Sequence, residues 1–145
     1  MIGLLQRVKQ GRVLIEGESV ASIGSGLVVL VGVQRGDDQI KAERLLERLL
    51  GYRVFPDKQD RMNLSLLDVD GGLLLVPQFT LAADTRKGMR PGFSRAADPE
   101  LGRDLFHYLA ERATERCSRV ACGVFGADMQ VELTNDGPVT FWLEC

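Results

Sequence analysis

The run Leu27-Val28-Val29-Leu30-Val31-Gly32-Val33 decides how this chain is read. It is apolar at successive positions and rich in β-branched residues, so it offers hydrophobic side chains to both faces of a sheet. Such a strand belongs in a sheet interior, with cover above and below. Leu73-Leu74-Leu75-Val76 is a second run of the same kind. Between them the period changes. Ala42, Leu45, Leu46 and Leu49 recur at helical spacing, while Lys41, Glu43, Arg44, Glu47 and Arg48 cover the remaining surface. That pattern predicts an amphipathic helix, with Asp37 or Asp38 placed to cap its start and Gly51 to end it.

Working outward, Ile2 to Val8 and Val13 to Ile15 read as strands separated by a Gln10-Gly11 turn, with glycines 17, 24 and 26 as further punctuation. Tyr52 to Phe55 predicts a short strand ended by Pro56-Asp57, Lys58 to Asn63 a loop, Leu64 to Val69 a strand, and Asp70-Gly71-Gly72 a turn. Residues 84–97 carry little periodicity. Asp98-Pro99-Glu100 opens a second helix, with a capping side chain, a proline in the first turn and an acid near the positive helix end. Its buried face is Leu101, Leu105, Tyr108, Leu109 and Ala113. Two closing strands, Met129 to Leu133 and Val139 to Leu143, are read as joined by a hairpin turn at Asn135-Asp136-Gly137-Pro138. Phe141 and Trp142, adjacent in the last strand, put large apolar groups on both of its faces. One face suits the body of the domain, the other a second copy. Strands dominate and do not alternate regularly with helices, so the expected class is α+β, one domain over residues 1–145.

Composition narrows the function. The 145 residues are 45% hydrophobic and 26% charged, the make-up of one globular domain. Eighteen Lys and Arg against 20 Asp and Glu leave a net charge of −2. That excludes a broad coat on nucleic acid and leaves room for a local basic patch. No stretch reaches the ~18 apolar residues of a membrane span, and the first residues lack a secretory pattern. Cys117, Cys122 and Cys145 are odd in number and lack C-x-x-C spacing, which argues against a disulfide framework or zinc site. A reducing, cytoplasmic setting is the expectation. The single histidine, His107, is expected at a helix surface. No P-loop, dinucleotide fingerprint or nucleophile elbow is present. Any catalysis must therefore use backbone groups, hydroxyls or the substrate's own atoms.

Three places offer such chemistry. Gln78-Phe79-Thr80 follows the Leu73–Val76 strand, where freed N–H groups can face a developing oxyanion and Thr80 adds a hydroxyl. By residue type alone, a strand running into a polar loop is the favoured reading there. Gly137-Pro138 can adopt a cis bond and aim two successive carbonyls in similar directions, as acceptors for an ammonium group. A plain hairpin turn is the alternative. Arg86-Lys87-Gly88-Met89-Arg90-Pro91 has three cations and no acid, suited to phosphates or simply to solvent.

Taken in order, these stretches resemble the D-aminoacyl-tRNA deacylase family. Pro77-Gln78-Phe79-Thr80-Leu81-Ala82-Ala83-Asp84 resembles the family's Ser-Gln-Phe-Thr signature, and Asn135-Asp136-Gly137-Pro138-Val139-Thr140 its Gly–cis-Pro signature. Gln6-Arg7-Val8, Met62-Asn63-Leu64, Gly88-Met89-Arg90-Pro91 and Ala127-Asp128-Met129-Gln130-Val131 fall in the family's order. The resemblance spans essentially the whole chain.

It implies a strand-rich, barrel-like α+β fold with two main helices, and an ester hydrolase that removes D-amino acids from the 3′ end of tRNA. It implies a homodimer with the site at the interface, no cofactor, no metal, and neither DNA nor a membrane as partner. By carry-over, Gly137 and Pro138 present carbonyls to the substrate ammonium and exclude an L side chain, and Arg7 holds them. Phe79 and Thr80 line the ester, Gln78 supports the strand end, and Arg86, Lys87 and Arg90 contact tRNA phosphates. Glycine, lacking a side chain, is expected to pass. The family's mechanism has been framed with Thr as nucleophile or with RNA-assisted water; lacking a base beside Thr80, the second is expected. Pro77 stands where the family usually has Ser, removing a hydroxyl and an N–H, and Gly92 where Ser is frequent. A non-catalytic homodimer binding RNA or an amino acid on the same fold is the competing expectation.

Overall fold

The computed structural model describes every residue from Met1 to Cys145. In chain order the elements are β1 (Ile2–Ile15), β2 (Glu18–Ile23), β3 (Gly26–Gly32), α1 (Gln39–Gly51), β4 (Phe55–Pro56), β5 (Met62–Leu64), β6 (Gly72–Pro77), α2 (Pro99–Arg116), β7 (Val120–Cys122) and β8 (Gln130–Glu144). A short 3₁₀ turn, Phe79–Ala82, follows β6.

The 14-residue strand β1 is the spine. On one edge its first half pairs with β3 and its second half with β2; on the other edge it pairs with β8 from Ile2↔Glu144 to Leu14↔Gln130. All these pairings are antiparallel, whereas β3, β6 and β7 run parallel. The result is a mixed sheet that curls into a nearly closed barrel, with both helices packed outside it.

The central strands behave as their composition dictates. Leu27, Val29, Val31, Leu73 and Leu75 face the helices, joining Leu45, Leu46, Leu49, Leu105, Phe106 and Leu109 in one core. The intervening Val28, Leu74 and Val76 face the inside of the curl, where they meet Val8 and Val13. A strand that supplies two cores cannot alternate polar and apolar residues, hence the continuous runs.

The sheet curls at Gly11, which is not the turn expected from sequence. The chain runs straight through Gln10-Gly11 as strand. A Cβ on Gly11 would lie 2.5 Å from Val28 Cγ2, so the missing side chain lets β1 lie across β3.

Other expectations are corrected by the same logic. Of the expected strand Leu64–Val69 only Leu64 is strand, because Asp68 folds back to accept from Ser65 N (2.8 Å) and Ser65 Oγ (2.7 Å), closing a turn; Met62 and Asn63, expected as the end of a loop, form β5 with it by pairing with Phe55 and Pro56. Of Tyr52–Phe55 only Phe55 is strand, and Pro56, expected to end it, is its second residue. The strands β2 and β7 were not foreseen; each is short and mostly polar or half-exposed. The two closing strands are one, β8, without a hairpin, because both parts pair with the same β1.

Helix caps follow their signals. Asp38 caps α1 by accepting from Lys41 N at 2.9 Å, and Asp98 caps α2 by accepting from Leu101 N at 3.0 Å. Asp37, the other candidate cap, is buried instead and lies 2.8 Å from the equally buried Met1 ammonium. Glu43 on α1 accepts from Tyr108 Oη and Arg112 Nε on α2, tying the helices together. The Arg112 bond, then Tyr108, holds the Glu43 carboxyl below its ordinary range. No helix is long and apolar enough to cross a membrane.

Two outcomes follow. Gly11→Ala should destabilise the fold by ~1–3 kcal/mol through overpacking against Val28, read as a lower urea midpoint. Glu43 has a lowered folded-state pKa, so its contribution is present above the ordinary glutamate range and is lost as pH falls through the folded value. The urea midpoint of Glu43→Gln should therefore lie below that of the parent at pH 7. The two should converge at strongly acidic pH, where both carry a neutral side chain.

Candidate active site

The first component forms where β3 and β6 end. Gln78 N donates to Val31 O at 2.7 Å, the last rung of the parallel ladder. The chain then tightens into the 3₁₀ turn. Gly32 makes this possible, since a Cβ there would lie 2.9 Å from Leu81 Cβ and 3.2 Å from Gln78 O. Phe79 and Thr80 open that turn, so their N–H groups have no partner within it. Both side chains are exposed. The Gln78 carboxamide donates to Thr80 Oγ1 through a short hydrogen bond, joining two of the expected site residues directly. That partner is a donor and cannot take a proton from the hydroxyl.

Pro77 costs the sheet little. Leu73 N donates to Arg119 O, and Gly123 N donates to Leu75 O, on the β7 side. Pro77 is the next residue on that side, just past the last paired position of β7 at Cys122, so the missing N–H falls at the end of the ladder rather than within it.

A cleft of about 440 Å³ opens beside Gln78 and Phe79. Its walls are Val31, Val33, Val76 and Pro77 from the sheet, Pro99, Gly102 and Phe106 from α2, and Phe125, Ala127 and Met129 from the segment before β8. Asp98 and Asp128 sit among these largely apolar walls. The reading of residue types missed Phe125 and Phe106 here. Phe106 looks like any helix core residue, and Phe125 lies in a segment without period, so neither carries a local signal.

The second component is an interruption in β8. Thr140 pairs with Gln6 and Asn135 with Val8, so Asp136, Gly137, Pro138 and Val139 stand opposite Arg7 alone. These four residues form a bulge on an otherwise paired strand, not a hairpin turn. The Gly137-Pro138 bond is cis, and Gly137 has a φ of 127°, open to glycine and strained for other residues. Gly137 and Pro138 are exposed. Arg7 is mostly buried beneath them. Its Nε donates to Asp136 O at 3.2 Å, and one terminal nitrogen donates to Val54 O at 2.6 Å. Arg7 thereby anchors the bulge to the segment after α1.

The structure does not bring these components together within one chain. The 3₁₀ turn sits at the Ile2↔Gly32 end of the β1–β3 ladder and the bulge at Arg7↔Leu27. Five residues of strand separate them, ~17 Å along the strand direction.

The third component is the basic loop. Asp84 and Gly92 close it with two backbone hydrogen bonds, of 2.7 and 3.0 Å. Arg86 is not free, because it donates to both carboxylate oxygens of Asp84, at 2.8 and 2.6 Å. That pair holds the Asp84 carboxyl well below the usual range. Lys87 and Arg90 pair with no carboxylate, and Met89 between them is fully exposed. His107 is exposed on α2, and no cluster of three His, Cys, Asp or Glu side chains is placed to hold a metal ion. Burial raises the Cys122 thiol pKa, the opposite of nucleophile activation.

Residues 4–144 match the family model described as D-Tyr-tRNA(Tyr) deacylase. The chain belongs to this family. Among deacylase-family relatives, one from Nitrosococcus oceani, named D-aminoacyl-tRNA deacylase, is 64% identical over 144 residues, covering 99% of this chain and 93% of its own. A relative of the same name from Thioalkalivibrio sulfidiphilus is 62% identical, covering 99% and 97%. Of solved structures, one named c-Myc DNA Unwinding Element Binding Protein aligns with a TM-score of 0.95 at 35% identity, over 100% of this chain and 99% of its own. A probable eukaryotic D-amino acid tRNA deacylase aligns with a TM-score of 0.80 over 98% and 97%, and at 20% identity it supports the deacylase fold alone.

The bulge depends on a residue without a side chain. A Cβ at Gly137 would lie 2.7 Å from Val139 Cγ2 and 3.2 Å from an Arg7 nitrogen. Gly137→Ala should therefore lower stability by ~1–3 kcal/mol, measured by urea denaturation.

Proposed function

We propose that this protein hydrolyses the ester of D-aminoacyl-tRNA, and that two copies build each complete site. The observation that carries the reading is the separation of the components. One chain holds a strand end with free N–H groups and, ~17 Å away along the strand, an exposed bulge at Gly137 and Pro138. Neither component suffices alone, and a second copy can set its bulge against the strand end of the first. Family membership and relatives named D-aminoacyl-tRNA deacylase support the same activity. So does Trp142, half-exposed on β8, whose outer edge pairs with no strand of its own chain.

In this reading the aminoacyl ester lies against Phe79 and Thr80. Their N–H groups face the carbonyl oxygen and stabilise the charge it acquires when water adds to the carbonyl carbon. The bond from that carbon to the ribose 3′ oxygen then breaks. Free D-amino acid and tRNA with a 3′ hydroxyl are released. Thr80 orients the reacting groups, and the neighbouring ribose 2′ hydroxyl assists the water, since no side-chain base stands beside Thr80. Gln78 keeps the Thr80 hydroxyl in register. The apolar cleft beside Phe79 accepts the terminal nucleoside.

The partner's Gly137 and Pro138 carbonyls accept hydrogen bonds from the α-ammonium. With the ammonium and ester both fixed, two directions remain at the α-carbon, and the one an L side chain would take meets the backbone wall. Selection is by exclusion. Glycine has nothing to exclude and passes. Arg7 holds the wall from beneath. Lys87 and Arg90 take phosphates near the tRNA end, while Arg86, tied to Asp84, stiffens the loop that carries them.

The test is ester loss from D-tyrosyl-, L-tyrosyl- and glycyl-tRNA. The D and glycyl esters should disappear while the L ester persists. Binding without turnover would instead identify a non-catalytic module, and stable glycyl-tRNA at enzyme levels that clear the D ester would remove the exclusion argument. Thr80→Ala should keep its rate within about 10-fold; a loss of several orders of magnitude with an intact fold would make the hydroxyl the nucleophile.

A further inference from the structure

The bulge that presents Gly137 and Pro138 has left the β1 ladder, so the sheet does not pair its backbone groups. Its central residue is glycine, the residue with the widest backbone freedom. Pro138 narrows ψ at Gly137 without fixing its φ, so neighbours must complete the aim of its carbonyl. Arg7 secures the entry to the bulge through Asp136 O, and Lys9 adds an ion pair to the Asp136 carboxylate at 3.3 Å.

The exit is secured by a different side chain. Asn135 Oδ1 accepts from Val139 N at 3.0 Å, and Asn135 Nδ2 donates to Thr140 Oγ1 at 2.8 Å. One half-buried carboxamide thus joins the residue before the bulge to the residues that end it. Val139 in turn packs beneath Gly137: its Cγ2 lies 2.7 Å from where a Gly137 Cβ would stand. Fixing Val139 therefore fixes the ground on which the Gly137 peptide rests.

We infer that Asn135 is a positioning residue that sets the enantiomer selectivity of the site. The inference rests on the reading above, in which the Gly137 and Pro138 carbonyls receive the substrate ammonium. A wall that excludes by position must hold to a fraction of an ångström, because a shift of ~1 Å is enough to admit or misplace a reacting group. Asn135 removes the slack at the one end of the bulge that Arg7 does not reach. It touches neither substrate nor ester.

The experiment compares kcat/KM for D-tyrosyl- and L-tyrosyl-tRNA in the full chain, in Asn135→Ala and in Asn135→Asp. A role in stability alone would lower both activities together and leave their ratio unchanged. Asn135→Ala is expected to raise hydrolysis of the L ester and to cut the D-to-L ratio by about 10-fold or more, the effect of two lost hydrogen bonds. Asn135→Asp can still accept from Val139 N and from the Thr140 hydroxyl, so it should keep the ratio within about 3-fold. Should Asn135→Ala fail to fold, Thr140→Val removes the acceptor of one bond only and should lower the ratio by about 2- to 5-fold. An unchanged ratio in the folded variant, beside a selective parent, overturns the inference. A parent that does not discriminate between the esters overturns the underlying reading, and this inference with it.

Discussion

The ladder between β1 and β8 is the interaction on which the rest of the structure depends. It runs the length of both strands, from Ile2↔Glu144 to Leu14↔Gln130. Because β1 gives its other edge to β3 and then to β2, the ladder fixes the position of every other strand in the sheet. It also has one gap of consequence. Four residues of β8 face Arg7 alone, and that mismatch in count pushes Gly137 and Pro138 out of the sheet. A uniform ladder would have left them as ordinary strand residues. The strand pairing on both sides of the gap keeps the bulge in place; Arg7 and Asn135 keep it in shape.

The central parallel strands make the other half of the chemistry. They are apolar on both faces because each supplies the helix-side core and the core inside the curl. Where such strands stop, the chain must turn at once from buried to exposed. The 3₁₀ turn at Phe79–Ala82 performs that change in a single step and leaves free N–H groups at its start. The polarity jump at Val76-Pro77-Gln78 is the sequence trace of this boundary. In the proposed mechanism, catalytic capacity comes from backbone that secondary structure has released, and no side-chain relay is called on.

Much of this was legible in sequence because it depends on local chemistry. The central strands announced themselves by continuous β-branched runs, α2 by Asp98-Pro99-Glu100, and the strand end by its abrupt polarity. Two of the errors share one cause. Gln10-Gly11 and Asn135–Pro138 hold turn-forming residues, and local rules read turns there. In the fold, Gly11 is needed because Val28 approaches to within 2.5 Å of its absent Cβ, and residues 135–140 are spanned by a partner strand more than a hundred positions away. Arg86 shows a related limit: a cation counted from sequence carries no sign that Asp84, two residues earlier, pairs with it.

By itself the sequence determined the class of the fold, the buried face of α1 and most of that of α2, the central strands, and the two motifs that mark the family, since each of these is written in residues close to one another. Only the tertiary structure decided that the two motifs sit apart on one chain, that the cleft takes Phe125 and Met129 as a wall, and that Arg7 and Asn135 grip the same bulge from opposite ends. The physical reason is that these relations are distances between strands. They are set by register and by the curl of a sheet, and no short stretch of sequence contains either.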